Sequence, residues 1–374
     1  MIESLKTDLT QWEIGPYDHS LPGPMLLRLR LDGELIVAGE VETGFLHRGL
    51  EKAFERQLWR SAIPYADRLD PEGAVFGELA LCLAAEEIAA LEVPSRAQSI
   101  RVILSELTRI SAHMGYIVRV ARAVGSETMV HYVLRDREKI LDLFELATGA
   151  RVSLNFLRFG GVQADVTEGF IERVLEICEL LRIRLKEYND LFTYNHAFIK
   201  RTRGIGTIAP EVARTFGVTG PNARASGISF DVRKEHPYSG YDFLDFEVPI
   251  GRRESQHLGD ANHRFLLRLQ EISTSIEILK QSAEAISPGP FALRKPEESF
   301  EVPRGEAYIR IESSRGLLGC HLVSDGGAYP ARIQFRPPSL ALLSVLPQLV
   351  RGIRIEDLPV VLATLDIGIA EADR

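Results

Sequence analysis

Over long stretches of this chain apolar residues return every three or four positions, the period of a helix that buries one face. The spacing predicts long helices over 46–61, 71–91 and 94–124, the last with Ile100, Ile103, Leu104, Leu107 and Ile110 on one stripe. The same period returns over 135–148 and 167–193, with Thr167 and Glu168 placed as a helix entry. It returns again over 259–285, where Ser287-Pro288-Gly289-Pro290 breaks it. Ahead of these helices, 25–31 and 35–37 flank Asp32-Gly33, a dipeptide suited to tight hairpin turns because it tolerates positive φ. Beyond them, 307–312, 317–323 and 331–335 alternate between Gly-bearing turns and predict a small antiparallel sheet, with short helices near 339–351 and 356–364.

The pattern describes an α+β chain: a central bundle of long helices, an N-terminal antiparallel β-ribbon and a small C-terminal antiparallel sheet. It divides into an N-terminal β region over 1–45, a helix bundle over 46–290 and a C-terminal β/α region over 291–374, all within one compact domain. Residues 202–253 interrupt the bundle with Gly-, Pro-, Ser- and aromatic-rich sequence and one helical patch at 210–216. Ordered irregular segments of that length are usually functional.

Composition narrows the functions open to such a fold. A hydrophobic content of 45% supplies ample core, and the net charge of −8 is spread over mixed segments without a Lys/Arg block, so nucleic acid is not an expected partner. Cys82, Cys178 and Cys320 stand singly, which fits a reducing compartment and offers neither disulfide framework nor metal-ligand spacing. Residues 1–12 are acidic and polar where an export signal needs an apolar core. The longest apolar runs, such as 340–346, fall short of the roughly eighteen residues that span a bilayer.

Few segments suggest chemistry on their own. His47-Arg48-Gly49 places a cation and an aromatic base before a helix, which serves structure as readily as function. Glu106, Arg109 and His113 share one helical stripe, the arrangement of a site or of an internal ion-pair network. Arg158-Phe159-Gly160-Gly161-Val162 allows close backbone approach but is not a dinucleotide fingerprint, so NAD binding by this chain has no support. No H-E-x-x-H, G-x-S-x-G or P-loop pattern occurs.

Taken in order, several segments resemble one family. They are Gly15-Pro16 to Gly23, Leu31-Asp32-Gly33-Glu34, Gly44 to Lys52, Pro64-Tyr65-Ala66-Asp67-Arg68-Leu69-Asp70, 158–162, Thr219-Gly220-Pro221 with Arg224-Ala225-Ser226-Gly227, Tyr241 to Pro249, and the chain end from Leu365-Asp366-Ile367 to Asp373-Arg374. Together they are similar to the hydrogenase-like large subunit of bacterial NADH:quinone oxidoreductase (complex I), a relative of the [NiFe]-hydrogenase large subunit. Hydrogenases carry metal-binding Cys-x-x-Cys pairs at the Pro64–Asp70 segment and at the chain end, and this chain has neither.

The resemblance implies a peripheral subunit on the cytoplasmic side of the membrane, part of a proton-translocating NADH dehydrogenase. It would pack against the membrane arm and against the partner that carries the terminal iron–sulfur cluster, forming a quinone cavity with that partner. NADH, FMN and the clusters would sit on other chains, and this chain would bind no metal. Arg48 matches the family arginine near the cluster, where a cation raises the reduction potential, and His47 stands beside it.

Departures from the family fall at its chemistry. Where the family reads G-P-Q-H-P-S-T-H-G, this chain reads Gly15-Pro16-Tyr17-Asp18-His19-Ser20-Leu21-Pro22-Gly23, so Pro22 occupies the place of the quinone-binding histidine. Pro71 occupies that of the quinone-binding tyrosine and Ala123 that of an aspartate partnering the histidine. None of the three side chains can donate a proton. Either His19, Tyr17 or Asp18 takes over the role, or the chain is a structural adaptor or a subunit of a related ion-pumping oxidoreductase with another electron acceptor.

Overall fold

The computed structural model describes residues 9–251, 257–293 and 300–374. The start of the chain and the expected boundary at 253 lie outside the described residues. Strands β1 (Thr10–Ile14), β2 (Leu26–Asp32) and β3 (Leu35–Glu42) form an antiparallel sheet in that order, with Asp32-Gly33 at the hairpin turn. Leu27, Leu29 and Leu31 of β2 point inward while Arg28 and Arg30 face water, the alternation of a half-buried strand.

The helix expected over 46–61 is broken into α1 (Leu50–Phe54) and α2 (Trp59–Asp67). The backbone N–H groups of Gly44 and Leu46 donate to Asp373 Oδ2 instead of entering a helix, Gly49 takes a left-handed conformation, and Leu58 is extended. Helices α3 (Ala74–Ile88), α4 (Ser95–Ala123) and α5 (Glu127–Thr148) follow, α5 starting about two turns earlier than the apolar period indicates. A two-stranded turn that periodicity does not reveal, β4 (Leu157–Arg158) and β5 (Gly161–Val162), precedes α6 (Phe170–Tyr188), which widens into a π turn over Asn189–Thr193.

The irregular segment holds α7 (His196–Thr202), α8 (Pro210–Phe216), α9 (Gly220–Ala225) and α10 (Val232–Glu235), and α11 (Ala261–Ala285) returns to the bundle. The chain closes with the antiparallel strands β6 (Gly305–Glu312), β7 (Leu317–Ser324) and β8 (Arg332–Arg336), then α12 (Ser339–Leu349), α13 (Leu358–Leu365) and α14 (Ile369–Asp373). The α+β architecture with its ribbon, bundle and C-terminal sheet is therefore as expected. Among the described residues no helix is long and apolar enough to cross a membrane.

Helix α4 is the axis of this arrangement and is buried on all sides from Ile100 to Val118. An all-round buried helix is ordinarily apolar, yet this one carries Arg101, Glu106, Arg109 and His113. Each of these charged or polar side chains must find a partner inside the protein, because an unpaired buried charge is far too costly. A second core joins the inward face of β2 to α8, α12 and α13, which fixes the N-terminal ribbon against the chain end.

Candidate functional site

The loop after α2 and the last nine residues of the chain, far apart in sequence, meet in the structure. On the outside Arg48 joins them: its two terminal nitrogens donate to the carbonyls of Arg68 (2.8 Å) and Ala370 (3.0 Å). The guanidinium is solvent-exposed and no carboxylate is among these partners, so its charge faces outward. His47 donates from Nδ1 to the Asp373 carbonyl at 2.7 Å. An open pocket of about 370 Å³ lies alongside, lined by His47, Glu51, Lys52, Arg332, Asp373 and Arg374.

On the inside the same two segments are joined by Arg315, from the β6–β7 turn. Its guanidinium pairs with Asp70, with Glu72 at 2.8 Å, and through Nε with the Asp366 carbonyl at 3.1 Å. Asp366 ends α13 at φ 58°, a left-handed conformation that aspartate tolerates better than most residues. Its carboxylate also receives Arg119 at 2.6 Å and Arg268 at 2.8 Å. Burial alone would raise the Asp366 acid, but Arg315, Arg268 and Arg119 outweigh it and hold the carboxyl well below the usual range. Glu371, buried in α14 against Ser339, behaves oppositely: burial and the nearby Asp70 charge push it up to about 7.

From Arg268 the ionic contacts continue into the bundle. Arg268 donates to His113 Nδ1 at 3.2 Å, and His113 Nε2–H donates to Glu271 at 2.9 Å. Burial is the largest influence on His113 and lowers it to about 4, which keeps the ring neutral with its proton on Nε2. Glu271 pairs with Arg224, which reaches Glu312 at 2.7 Å and Asp231 at 3.4 Å. Arg233 then links Asp231 to Glu106. The Glu106–Arg109–His113 stripe thus belongs to an internal ion-pair network. The 158–162 loop is structural too: Arg101 donates to the Arg158 and Gly161 carbonyls, and Glu86 accepts from Gly160 N–H.

Of the residues singled out in the sequence, Arg48, His47, Pro22 and Pro71 lie around the chain end. Pro22 precedes Gly23, which packs directly on Ile369 of α14, and Pro71 is exposed beside Asp70. Ala123 is half-buried at the end of α4, one turn beyond Arg119. His19 stands apart, fully exposed on its loop with only Asp18 nearby at 3.7 Å. Periodicity gave no sign of Arg315, Arg119, Arg268, Asp366 or Glu371 as members of the site. The segments holding Asp70 and Asp366 were legible as motifs, and their basic partners were not. Cys82, Cys178 and Cys320 are buried singly, and among the described residues no group of three or more His, Cys, Asp or Glu side chains is arranged to hold a metal ion.

Comparison with known proteins agrees with the family that the motifs resemble. The family described as respiratory-chain NADH dehydrogenase, 49 Kd subunit, matches residues 123–301 and 291–374. NADH-quinone oxidoreductase subunit 4 of Thermus thermophilus is 37% identical over 100% of this chain and 96% of its own length. An NADH-quinone oxidoreductase subunit of Desulforamulus reducens is 39% identical over 99% of this chain and 100% of its own. A chloroplastic NAD(P)H-quinone oxidoreductase subunit of Anthoceros angustus is 37% identical over 99% of this chain and 98% of its own length.

Proposed function

Because this chain belongs to the family of the 49 Kd subunit of respiratory-chain NADH dehydrogenase, we propose that it serves as that subunit in an NADH-quinone oxidoreductase and forms a quinone cavity with a cluster-bearing partner. In this reading electrons come from NADH through FMN and iron–sulfur clusters on other chains, and the subunit sits peripherally on the cytoplasmic side of a membrane arm, coupling electron transfer to proton translocation. The frame is that of a metal-free [NiFe]-hydrogenase large subunit, a single domain running through 1–45, 46–290 and 291–374.

One observation carries the reading. Arg48 spans the two segments that hold metal in hydrogenases, binds only backbone carbonyls there, and keeps its charge toward the surface on which a partner would dock. A cation so placed stabilises an electron added to a nearby cluster and the developing charge on a quinone oxygen, more strongly once a partner excludes water. His47, Pro22 and Pro71 would line the same cavity. With Pro22, Pro71 and Ala123 unable to donate, His19, Tyr17 or Asp18 of the first loop would take over the role once that loop folds in, His19 being the first candidate.

A second reading is favoured by Arg315. Its guanidinium and three carboxylates fill the space between the segments, as a structural adaptor or a complex with another acceptor would permit. The test is NADH-driven reduction of a short-chain quinone by the assembled complex. Arg48→Gln should lower the rate roughly tenfold or more if the cation assists reduction. Full activity of both Arg48→Gln and His19→Ala would remove the cavity from this face.

A further inference from the structure

Behind the loop that carries Arg68 and Asp70, the interior brings two acids together. Asp67 is the last residue of α2 and Glu78 lies early in α3, and both are fully buried. Gly77 makes the meeting possible: a Cβ there would collide with the Ala66 carbonyl, so only glycine lets α3 approach the end of α2 this closely. Asp67 Oδ2 accepts from the half-exposed Arg68 at 3.0 Å, and Glu78 Oε2 accepts the backbone N–H groups of Phe156 (2.9 Å) and Leu157 (2.8 Å).

The other two oxygens, Asp67 Oδ1 and Glu78 Oε1, are buried and receive no hydrogen bond from any donor. The two acids act directly on each other across this buried space, and because ionised carboxylates are acceptors only, one of them must carry a proton for the two orphaned oxygens to be satisfied there. Other groups facing the pair leave that requirement in place. Arg158, from β4, feels Glu78 but donates to Asn155 and Leu157, and Cys82, one turn along α3, is a buried neutral thiol. Burial, and then the Asp67 side chain, push Glu78 well above the ordinary carboxyl range.

We propose that Asp67 and Glu78 form a proton-holding pair that keeps one shared proton at neutral pH and gives it up toward the Arg68–Asp70 loop when a quinone beside that loop is reduced. The proposal rests on the functional reading above and supplies what Pro22 and Pro71 cannot. Reduction of the quinone to quinol takes two electrons, from the partner's iron–sulfur cluster, and two protons. The pair contributes one proton: a carboxyl O–H bond breaks, an O–H bond forms at a quinone oxygen, and two facing carboxylates remain. The second proton comes from water. Repulsion between the carboxylates then draws a replacement proton in past Arg68, the contact that links Asp67 to solvent.

The assembled complex tests this with Glu78→Gln and Asp67→Asn. In each variant an amide N–H can satisfy the facing carboxylate oxygen, so the packing survives without the proton. Wild-type-minus-variant infrared difference spectra of the resting complex at pH 7 should show a protonated-carboxyl band for both variants, the Glu371 contribution cancelling in the difference. Their NADH:quinone rates should fall roughly tenfold or more, by loss of an intramolecular proton donor, and the pH profile should lose its alkaline limb. No such band in either difference spectrum overturns the proton-holding pair, and a difference band with an unchanged quinone rate and pH profile overturns delivery to the quinone. If the wild-type complex reduces no quinone, the functional reading falls with the delivery step, and the band still decides whether the pair holds a proton. Should Glu78→Gln fail to assemble, Asp67→Asn carries the same readouts.

Discussion

Glu371 and His113 are buried, and burial favours the neutral form of each, yet they bend the pH dependence of stability in opposite directions. Glu371 is raised from 4.5 to about 7, so between these values the folded chain holds a proton that the unfolded chain has released, and stability falls as pH rises through that window. His113 is lowered from 6.5 to about 4, so the unfolded chain holds the extra proton between those values and stability rises with pH. Each shift converts to at most roughly 3 kcal/mol at 1.36 kcal/mol per unit, so the two largely offset one another around pH 5 to 6. Glu371→Gln leaves a side chain that is always neutral and removes the falling contribution alone. Thermal unfolding of that variant should therefore show stability climbing more steeply than the wild type between about pH 4.5 and 7. Parallel curves for the two proteins would mean that Glu371 does not titrate there. At this scale a motif singled out Arg48 and His47, and the structure sets both against the chain end. The sequence was silent on Arg315, because Ser313-Ser314-Arg315-Gly316 has the composition of any solvent-exposed turn, and only the fold surrounds it with Asp70, Glu72 and Asp366.

Among the elements, α3 is placed by one residue. Its apolar period predicts a buried helix but says nothing of how close α2 may come, and Gly77 sets that distance through the Ala66 carbonyl. Alanine is the better helix former by about 1 kcal/mol, so exposed helical glycines usually gain from the change. Here a backbone carbonyl stands where the methyl group would go, and backbone cannot swing aside as a flexible side chain does. Gly77→Ala should lower stability by about 2 kcal/mol in denaturant unfolding, as overpacked sites do. A stability equal to or above the wild type would show that α2 can retreat without cost. The long helices were legible because each repeats its signal over several turns. The late start of α1 at Leu50 was not, since Asp373, at the far end of the sequence, takes the Gly44 and Leu46 N–H groups. The β4–β5 pair was missed for a related reason: two residues per strand are too few to show a period.

Across the whole molecule, order and exposure are unevenly distributed around the chain end. The inner side of the junction is held by the buried ion pairs of Arg315 and Arg268, with half-buried Arg119 beside them, and breaking a buried pair by removing one partner costs on the order of 3–5 kcal/mol. The outer side carries side chains with little to hold them: Tyr17 is 76% exposed, His19 is fully exposed, and Arg48 is fastened only by two carbonyls. A face with that profile opens locally at low free energy, whereas α4 opens only with global unfolding. If the outer face receives the cluster-bearing partner, docking should order it selectively. Hydrogen exchange of 17–24 and 44–49 is expected to slow when the chain is assembled with that partner, while exchange in the centre of α4 stays unchanged. Equal exchange of both loops in the free and assembled chain would place the partner elsewhere, and with it the surface toward which Arg48 points.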